Sequence, residues 1–367
     1  MKKFHELSTP CLVLDLDRFE SNLQAMQRSA HDLHVNLRPH AKTHKCVEIA
    51  RRQLQQGAIG ICVATIAEAE VMVESGIRGV LITTELTGQP KVLRLMRVVQ
   101  TTPDTMIVVD DAGNVEELER AAGKDGLHLR VLIDLDVGQN RTGVAPGQPA
   151  LRMAETIARS KNLQLKGICA YAGHLAHLVG FEERRAASRK AMQQALDTRD
   201  LLRRSGHAIE IVSGGSTGTY NIDPELEGVT EIQAGSYVML DVEYRGIGSR
   251  YGTVYDDFFP ALFVLTTVIH RSNRKAVVDA GLKAFSTDRP FGPEPFGFTG
   301  VMYEFAGDEH GRLILQNPSR SIELGDKLLF IPPHCDPTVN LYDRIYCLRG
   351  EHVEDEWTIM RRRGPYY

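Results

Sequence analysis

The sequence predicts an α/β fold, a (β/α)8 barrel of the TIM type followed by a C-terminal mainly β domain. Eight short β-branched runs alternate with longer helical patterns, and from about residue 250 the helical patterns stop while strand-like runs continue. The rival is an open doubly wound sheet. It more often carries a GxGxxG phosphate fingerprint after its first strand, and this chain has none there.

An opening strand, "CLVLD" at 11–15, leads into a helix over about 17–30. The eight barrel runs end near Ala41, Thr65, Thr84, Asp110, Asp136, Ala172, Ser213 and Gln233. After the first, "KCVEIARRQLQQG" places Val47, Ala50 and Leu54 on one helix face and stops at glycine. "IAEAEVMVESG", "NVEELERAAGKDG", "ALRMAETIARS" and the polar-faced "EERRAASRKAMQQALDTRDLLRRSG" fill later intervals. Beyond them "ALFVLTTVIH", "KAVVDAG", "RLILQ", "DKLLFIPPH", "DRIYCLRG" and "EWTIMRR" are β-rich runs between Gly, Pro and charged turns. The predicted domains are a barrel over 17–247 and a β domain made of 1–16 and 248–367, with the junction near "YRGIGSRYG". "STDRPFGPEPFGFTG" at 286–300 reads as a loop.

With 367 residues, 43% hydrophobic and 25% charged, the chain has the composition of an ordinary soluble globular protein. Its 43 basic and 47 acidic residues leave a net charge of −4, which offers no electrostatic footprint for nucleic acid or an acidic membrane. The run Arg361-Arg362-Arg363 reads as a solvated end. Six scattered cysteines without a CxxC pair argue against a disulfide framework or zinc ribbon, and fit reduced cytoplasmic thiols. The opening "MKKFHELSTPCLVLDLDRF" has too short an apolar run for a signal peptide, and no later window approaches a membrane span, so the expected compartment is the cytoplasm.

In such a barrel the C-terminal ends of the strands face the active site. "RPHAKTHK" ends the first strand with two lysines and two histidines. A lysine there, close to apolar strand residues, can have its amine pKa lowered enough to form a Schiff base with a carbonyl compound. From chemistry alone either lysine serves, or both are loop charges; Lys45, expected to begin the next helix, reads as the solvated one and Lys42 as the candidate. "SGGSTGTY" at 213–220 offers successive backbone N–H groups and hydroxyls to a phosphate monoester, and "EIQAGSY" at 231–237 adds a second small-residue turn one strand later. Loops after strands seven and eight are where phosphate sites recur in these barrels. A Schiff-base lysine facing a phosphate cradle implies pyridoxal 5'-phosphate.

Here the chain resembles the fold-type III pyridoxal-phosphate enzymes, the alanine racemase-like barrels, and within them the D-threonine aldolase and D-serine dehydratase group. "TPCLVLDLDRFESNL", "RPHAKTHK", "DVGQNRTGV", "AYAGHLAH", "SGGSTGTY", "QAGSY", "DAGLKAFS" and "PPHCDPTVNLYD" carry the resemblance in order along nearly the whole chain. The resemblance makes Lys42 the cofactor-bonding lysine, sets Arg141 beside the ring hydroxyl, and turns Tyr171 toward the cofactor. It gives the phosphate to Ser216, Thr217, Gly218, Thr219, Gly235 and Ser236, and puts Gln233 opposite the pyridine nitrogen, where racemases of this fold carry Arg. Without it, Arg141 reads as a salt-bridge partner of Asp134 or Asp136, Tyr171 as core and His177 as a loop histidine.

The last motif, "FIPPHCDPTVN", sets His334 and Asp336 on one face and Cys335 on the other if the segment is extended. A mixed nitrogen and oxygen pair favours Mn²⁺, Co²⁺ or Mg²⁺, with Zn²⁺ still open; the bland alternative is a surface histidine beside a turn aspartate. Within the resembled group, HxC goes with zinc dehydratases and HxD with aldolases, and this chain has HxD. The implied activity is retro-aldol cleavage of D-threonine or D-allothreonine to glycine and acetaldehyde, with low specificity among D-3-hydroxy amino acids. His177 is the candidate to bind or deprotonate the β-hydroxyl, and a homodimer is implied. The alternatives are a D-serine or D-threo-3-hydroxyaspartate dehydratase and, more remotely, a non-catalytic pyridoxal-phosphate carrier.

Overall fold

A computed structural model describes residues 2–360. The run at 361–363 lies outside the described residues. The chain opens with β1 (Cys11–Asp15) and α1 (Leu16–Asp32). Then follow β2 (Asn36–Leu37), α2 (Val47–Gln55), β3 (Ile61–Val63), α3 (Ile66–Glu74), β4 (Val80–Ile82), α4 (Gln89–Thr101), β5 (Met106–Val109) and α5 (Ala112–Asp125). The alternation continues through β6 (Leu129–Asp134), α6 (Gln148–Ala158), β7 (Leu163–Ala170), α7 (Phe181–Arg204), β8 (Ile211–Gly214) and β9 (Glu231–Ile232).

Strands β2 to β9 form one parallel sheet in the order β2-β9-β8-β7-β6-β5-β4-β3, and a parallel bridge between His40 and Cys62 joins its two ends. These are the eight runs of the sequence, assembled as a barrel. Every residue of β3, β4 and β5 is buried, as parallel strands covered on both faces require. The side chains of Cys62, Leu81, Val108, Leu132 and Cys169 pack together. Arg38 and Glu231 form a two-point buried ion pair, Nε to Oε1 at 2.9 Å and Nη2 to Oε2 at 3.0 Å.

The last two units depart from a strict strand-then-helix repeat. β8 and β9 are followed by the 3-10 turns Asp223–Glu225 and Ser236–Val238. Glycine-rich "SGGSTGTY" is too poor a helix former to continue into a crossover helix, and Pro224 suits only the first turn of one. The compact unit built on this barrel comprises residues 26–42 and 47–235.

The other unit takes the chain up to Ala25, residues 43–46, and the chain from Ser236 onward. Its elements are α8 (Val242–Arg245), β10 (Leu262–Arg271), β11 (Lys275–Val278), β12 (Glu294–Phe296), β13 (Val301–Phe305) and β14 (Gly311–Leu315). They end with β15 (Lys327–Ile331), α9 (Cys335–Val339), β16 (Arg344–Arg349) and β17 (His352–Thr358). The sheet runs β13-β14-β11-β10-β1-β16-β17, with β15 on β10 and β12 on β15. The opening strand β1 is therefore central here, antiparallel to β10 and parallel to β16. Leu7, Val13, Phe263, Leu265, Ile331 and Leu348 fill one side of it. The stretch 286–300, expected as a plain loop, contains β12, whose Pro295 is tolerated because the strand pairs on one side only.

All six cysteines are buried and free of disulfides. No helix among the described residues is long and apolar enough to cross a membrane.

Candidate active site

Lys42 lies in the 3-10 turn Ala41–Thr43 beyond β2, and it is half-buried. Two residues earlier, His40 accepts the Lys42 backbone N–H on Nδ1 at 3.3 Å, while its Nε2 lies 3.0 Å from Thr83 Oγ1 at the end of β4. His40 thus fastens the lysine turn to a neighbouring strand end. Lys45 corrects the expectation of a solvated helix start. It is 9% exposed, has φ +48°, precedes α2, and donates from Nζ to Asn340 Oδ1 at 3.2 Å. His44 is fully buried and spends Nδ1 on the Cys46 N–H, a local capping contact.

On the loop after β6, Arg141 lies exposed, with its guanidinium carbon 5.5 Å from the centre of the Tyr171 ring. Neither aspartate of "DLD" pairs with it among the described residues. Asp134 accepts the Thr142 hydroxyl at 2.8 Å, and Asp136 accepts the N–H groups of Gly138 and Asn140 at 3.0 and 2.9 Å. Asp110, just past β5, accepts Gly143 N–H at 2.9 Å. The Arg141 loop is therefore held at its base by carboxylates from two adjacent strand ends. Glu85, hydrogen-bonded to Asp134, is pushed up to about 7 by burial and by the Asp134 and Asp110 charges. Asp134 also lies above its ordinary range, mainly through burial. Burial and mutual repulsion thus disfavour charge on both carboxyls at once.

The turn after β8 is a built concavity. Gly215 has φ +74°, and a Cβ there would meet Ile232 Cδ1 at 2.9 Å and Asp223 Oδ2 at 3.0 Å. Ser216, Thr217 and Thr219 are buried around it. The Thr219 hydroxyl receives the Ser216 N–H at 3.0 Å and donates to Asp223 Oδ2 at 2.7 Å, so this residue builds the turn from inside. Gln233 donates from Nε2 to Ser213 Oγ at 2.8 Å and to Cys169 Sγ at 3.4 Å, a neutral amide held inside the barrel. Gly235 ends the barrel unit. Ser236 opens the next 3-10 turn and accepts the Leu240 N–H at 2.8 Å on its carbonyl. His177 sits half-buried in the segment after the 3-10 turn Gly173–Leu175. Taken together, an amine on a strand-end turn, an arginine over an aromatic ring and a glycine concavity lined with hydroxyls fit pyridoxal phosphate.

In the β unit the extended geometry expected for 334–336 is replaced by a helix start. His334 is the extended N-cap residue, and Cys335 and Asp336 begin α9. Pro337 is compatible with that first turn, which is why the dipeptide before it coils. Strand alternation consequently does not apply to His334 and Asp336. What orients His334 is Asp288, whose Oδ2 lies 2.8 Å from Nδ1, leaving Nε2 as the ring nitrogen for another partner. Cys335 is fully buried beside Asp241, its thiol well above the ordinary value through burial and that carboxyl. Asp241 is itself buried, pushed up to about 6, and accepts the Tyr244 and Cys335 N–H groups at 3.0 and 2.8 Å. No group of three or more His, Cys, Asp or Glu converges as a metal cage among the described residues. A buried neutral thiol, an imidazole held by a carboxylate and one further carboxylate fit an oxygen- and nitrogen-liganded cation that keeps most of its positions for solvent or substrate.

His40, Asp288, Asp241, Asp223 and Glu85 had no assigned role in the sequence. Only Asp241 left a local signal, an aspartate ahead of "VEYR" suited to capping α8.

A family model described as the alanine racemase N-terminal domain matches residues 14–241, and one of a serine dehydratase domain matches 261–348. The chain is 39% identical over 358 residues to a D-threonine aldolase of Arthrobacter sp., covering 97% of this chain and 93% of that one. It is 37% identical over 365 residues to a 3-hydroxy-D-aspartate aldolase of Paracoccus denitrificans, covering 98% and 94%. The crystal structure of a D-threonine aldolase from Filomicrobium marinum superposes with a TM-score of 0.93 at 37% identity, covering 99% of this chain and 98% of that one.

Proposed function

The chain belongs to the alanine racemase N-terminal-domain family of barrels, and from that premise we propose that it is a D-3-hydroxy-amino-acid aldolase dependent on pyridoxal phosphate and a divalent metal. It cleaves D-threonine or D-allothreonine between Cα and Cβ, giving glycine and acetaldehyde. The observation that carries this reading is the identity of 37 to 39% with two aldolases over nearly the full length. The burial of the Cys335 thiol supports it, because the motif then offers His334 and Asp336 and no thiolate.

When bound, the cofactor takes up the electron pair released at Cα and the cation, Mn²⁺ first among the candidates, acidifies the substrate's β-hydroxyl. Lys42 is the residue that attaches the cofactor, on a turn whose backbone His40 fixes. Arg141 binds the ring hydroxyl, on a loop fastened by the hydrogen bonds of Thr142 to Asp134 and of Gly143 to Asp110. Tyr171 supports Arg141 from beneath. Ser216, Thr217, Gly218, Gly235 and Ser236 receive the phosphate, with Thr219 shaping the turn behind them. Gln233 offers the pyridine nitrogen a neutral amide, with neither the positive charge of an arginine nor the negative charge of an acid. His334 and Asp336 hold the cation, and His177 takes the β-hydroxyl proton as general base and returns a proton to the products. The working form is a cytoplasmic homodimer.

Chelation followed by Mn²⁺ titration tests the metal arm: turnover of D-threonine is lost and then restored, while the visible cofactor band stays constant. Undiminished turnover in chelator removes the role of His334 and Asp336.

A further inference from the structure

Helix α7 does more for the phosphate turn than cover the barrel. Arg184 is fully buried in its first turns, where a guanidinium is expensive to place without hydrogen-bond acceptors. Its Nε donates to Gly218 O at 2.8 Å and its Nη1 to Leu178 O at 2.7 Å. One turn on, the buried Ser188 hydroxyl donates to Asp223 Oδ1. Asp223 Oδ2 in turn receives Thr219, which receives Ser216. On the same side of the helix, Arg185 and Arg189 grip Glu225 at 2.9 and 2.8 Å.

The chemistry of these contacts is specific. A phosphate monoester needs N–H and O–H donors, and an outward carbonyl or carboxylate oxygen repels it. Helix α7 engages one of each in this turn from behind: the Gly218 carbonyl with a guanidinium and the Asp223 carboxyl with a hydroxyl. We propose that Arg184 and Ser188 are positioning residues that shape the 215–223 turn to receive a phosphate monoester, an inference that rests on the reading of this turn as the cofactor-phosphate site. Through Leu178 the same guanidinium also fastens the segment that carries His177. A lysine at position 184 keeps the charge but lacks the fork that spans two carbonyls.

The test compares pyridoxal phosphate with phosphate-free pyridoxal, titrated into wild type, Arg184→Lys and Ser188→Ala and read by the visible cofactor absorbance. The ratio of the two dissociation constants isolates the phosphate's contribution, which a merely structural loss of fold quality does not move. In wild type the phosphate ester binds far more tightly. In Arg184→Lys the ratio falls by about tenfold, the scale of a lost hydrogen bond to a charged group, and in Ser188→Ala by several-fold. A wild-type ratio in both variants overturns the proposal. Should Arg184→Lys fail to fold, the ratio in Ser188→Ala decides in the same way. If wild type itself shows no preference for the phosphate ester, the cradle reading fails first and this inference with it.

Discussion

On the proposed reading Lys42 attaches the cofactor, and Lys42→Ala should abolish the visible cofactor band while leaving the fold intact; a surviving band would remove the assignment. Asp288→Asn should weaken Mn²⁺ binding by roughly 10- to 100-fold, the usual effect of losing a carboxylate behind a ligating histidine, with cofactor affinity unchanged. Metal titrations that coincide with wild type contradict it. Glu85, raised from an ordinary 4.5 to about 7, makes a prediction about stability and pH. The folded state keeps that proton up to about pH 7 and the unfolded chain releases it near 4.5, so this site's stabilisation is full at low pH and is lost as pH rises between them. Relative to wild type, the melting temperature of Glu85→Gln should therefore rise from pH 5 to pH 8; a constant difference would refute the upward shift of Glu85. The lysine turn and the glycine-rich turn after β8 stand out in the sequence because each is a contiguous motif. Asp288, Asp241 and Arg184 do not, because they meet His334, Cys335 and Gly218 across 46, 94 and 34 positions.

Among the elements, β3, β4 and β5 are the barrel strands most plainly written in the sequence, because parallel strands buried on both faces leave little room for other side chains. Two expectations failed where backbone outweighed pattern. The motif at 334–336 coils into α9 because Pro337 suits a first helical turn, and β8 and β9 lack crossover helices because their following segments are built for close approach. Pairing of β2 with β9 places Arg38 against Glu231 inside the barrel unit, side chains only 6% and 2% exposed. Glu231→Gln leaves a buried guanidinium without its counter-charge and should cost about 3–5 kcal/mol in equilibrium unfolding. A loss under about 1 kcal/mol would mean the pair is no more than a surface-type contact.

Across the whole molecule, the central claim is that the substrate's Cα–Cβ bond breaks and its β-oxygen leaves with the aldehyde. Length and composition bounded the fold, but neither fixes that chemical choice; it rests on a few side chains around His334 and on the likeness to aldolases. The most direct measurement is a complete product balance after incubating the purified protein with D-threonine, pyridoxal phosphate and Mn²⁺. Glycine and acetaldehyde in equal amounts are the predicted result. 2-Oxobutyrate with ammonia would contradict the account and identify a dehydratase.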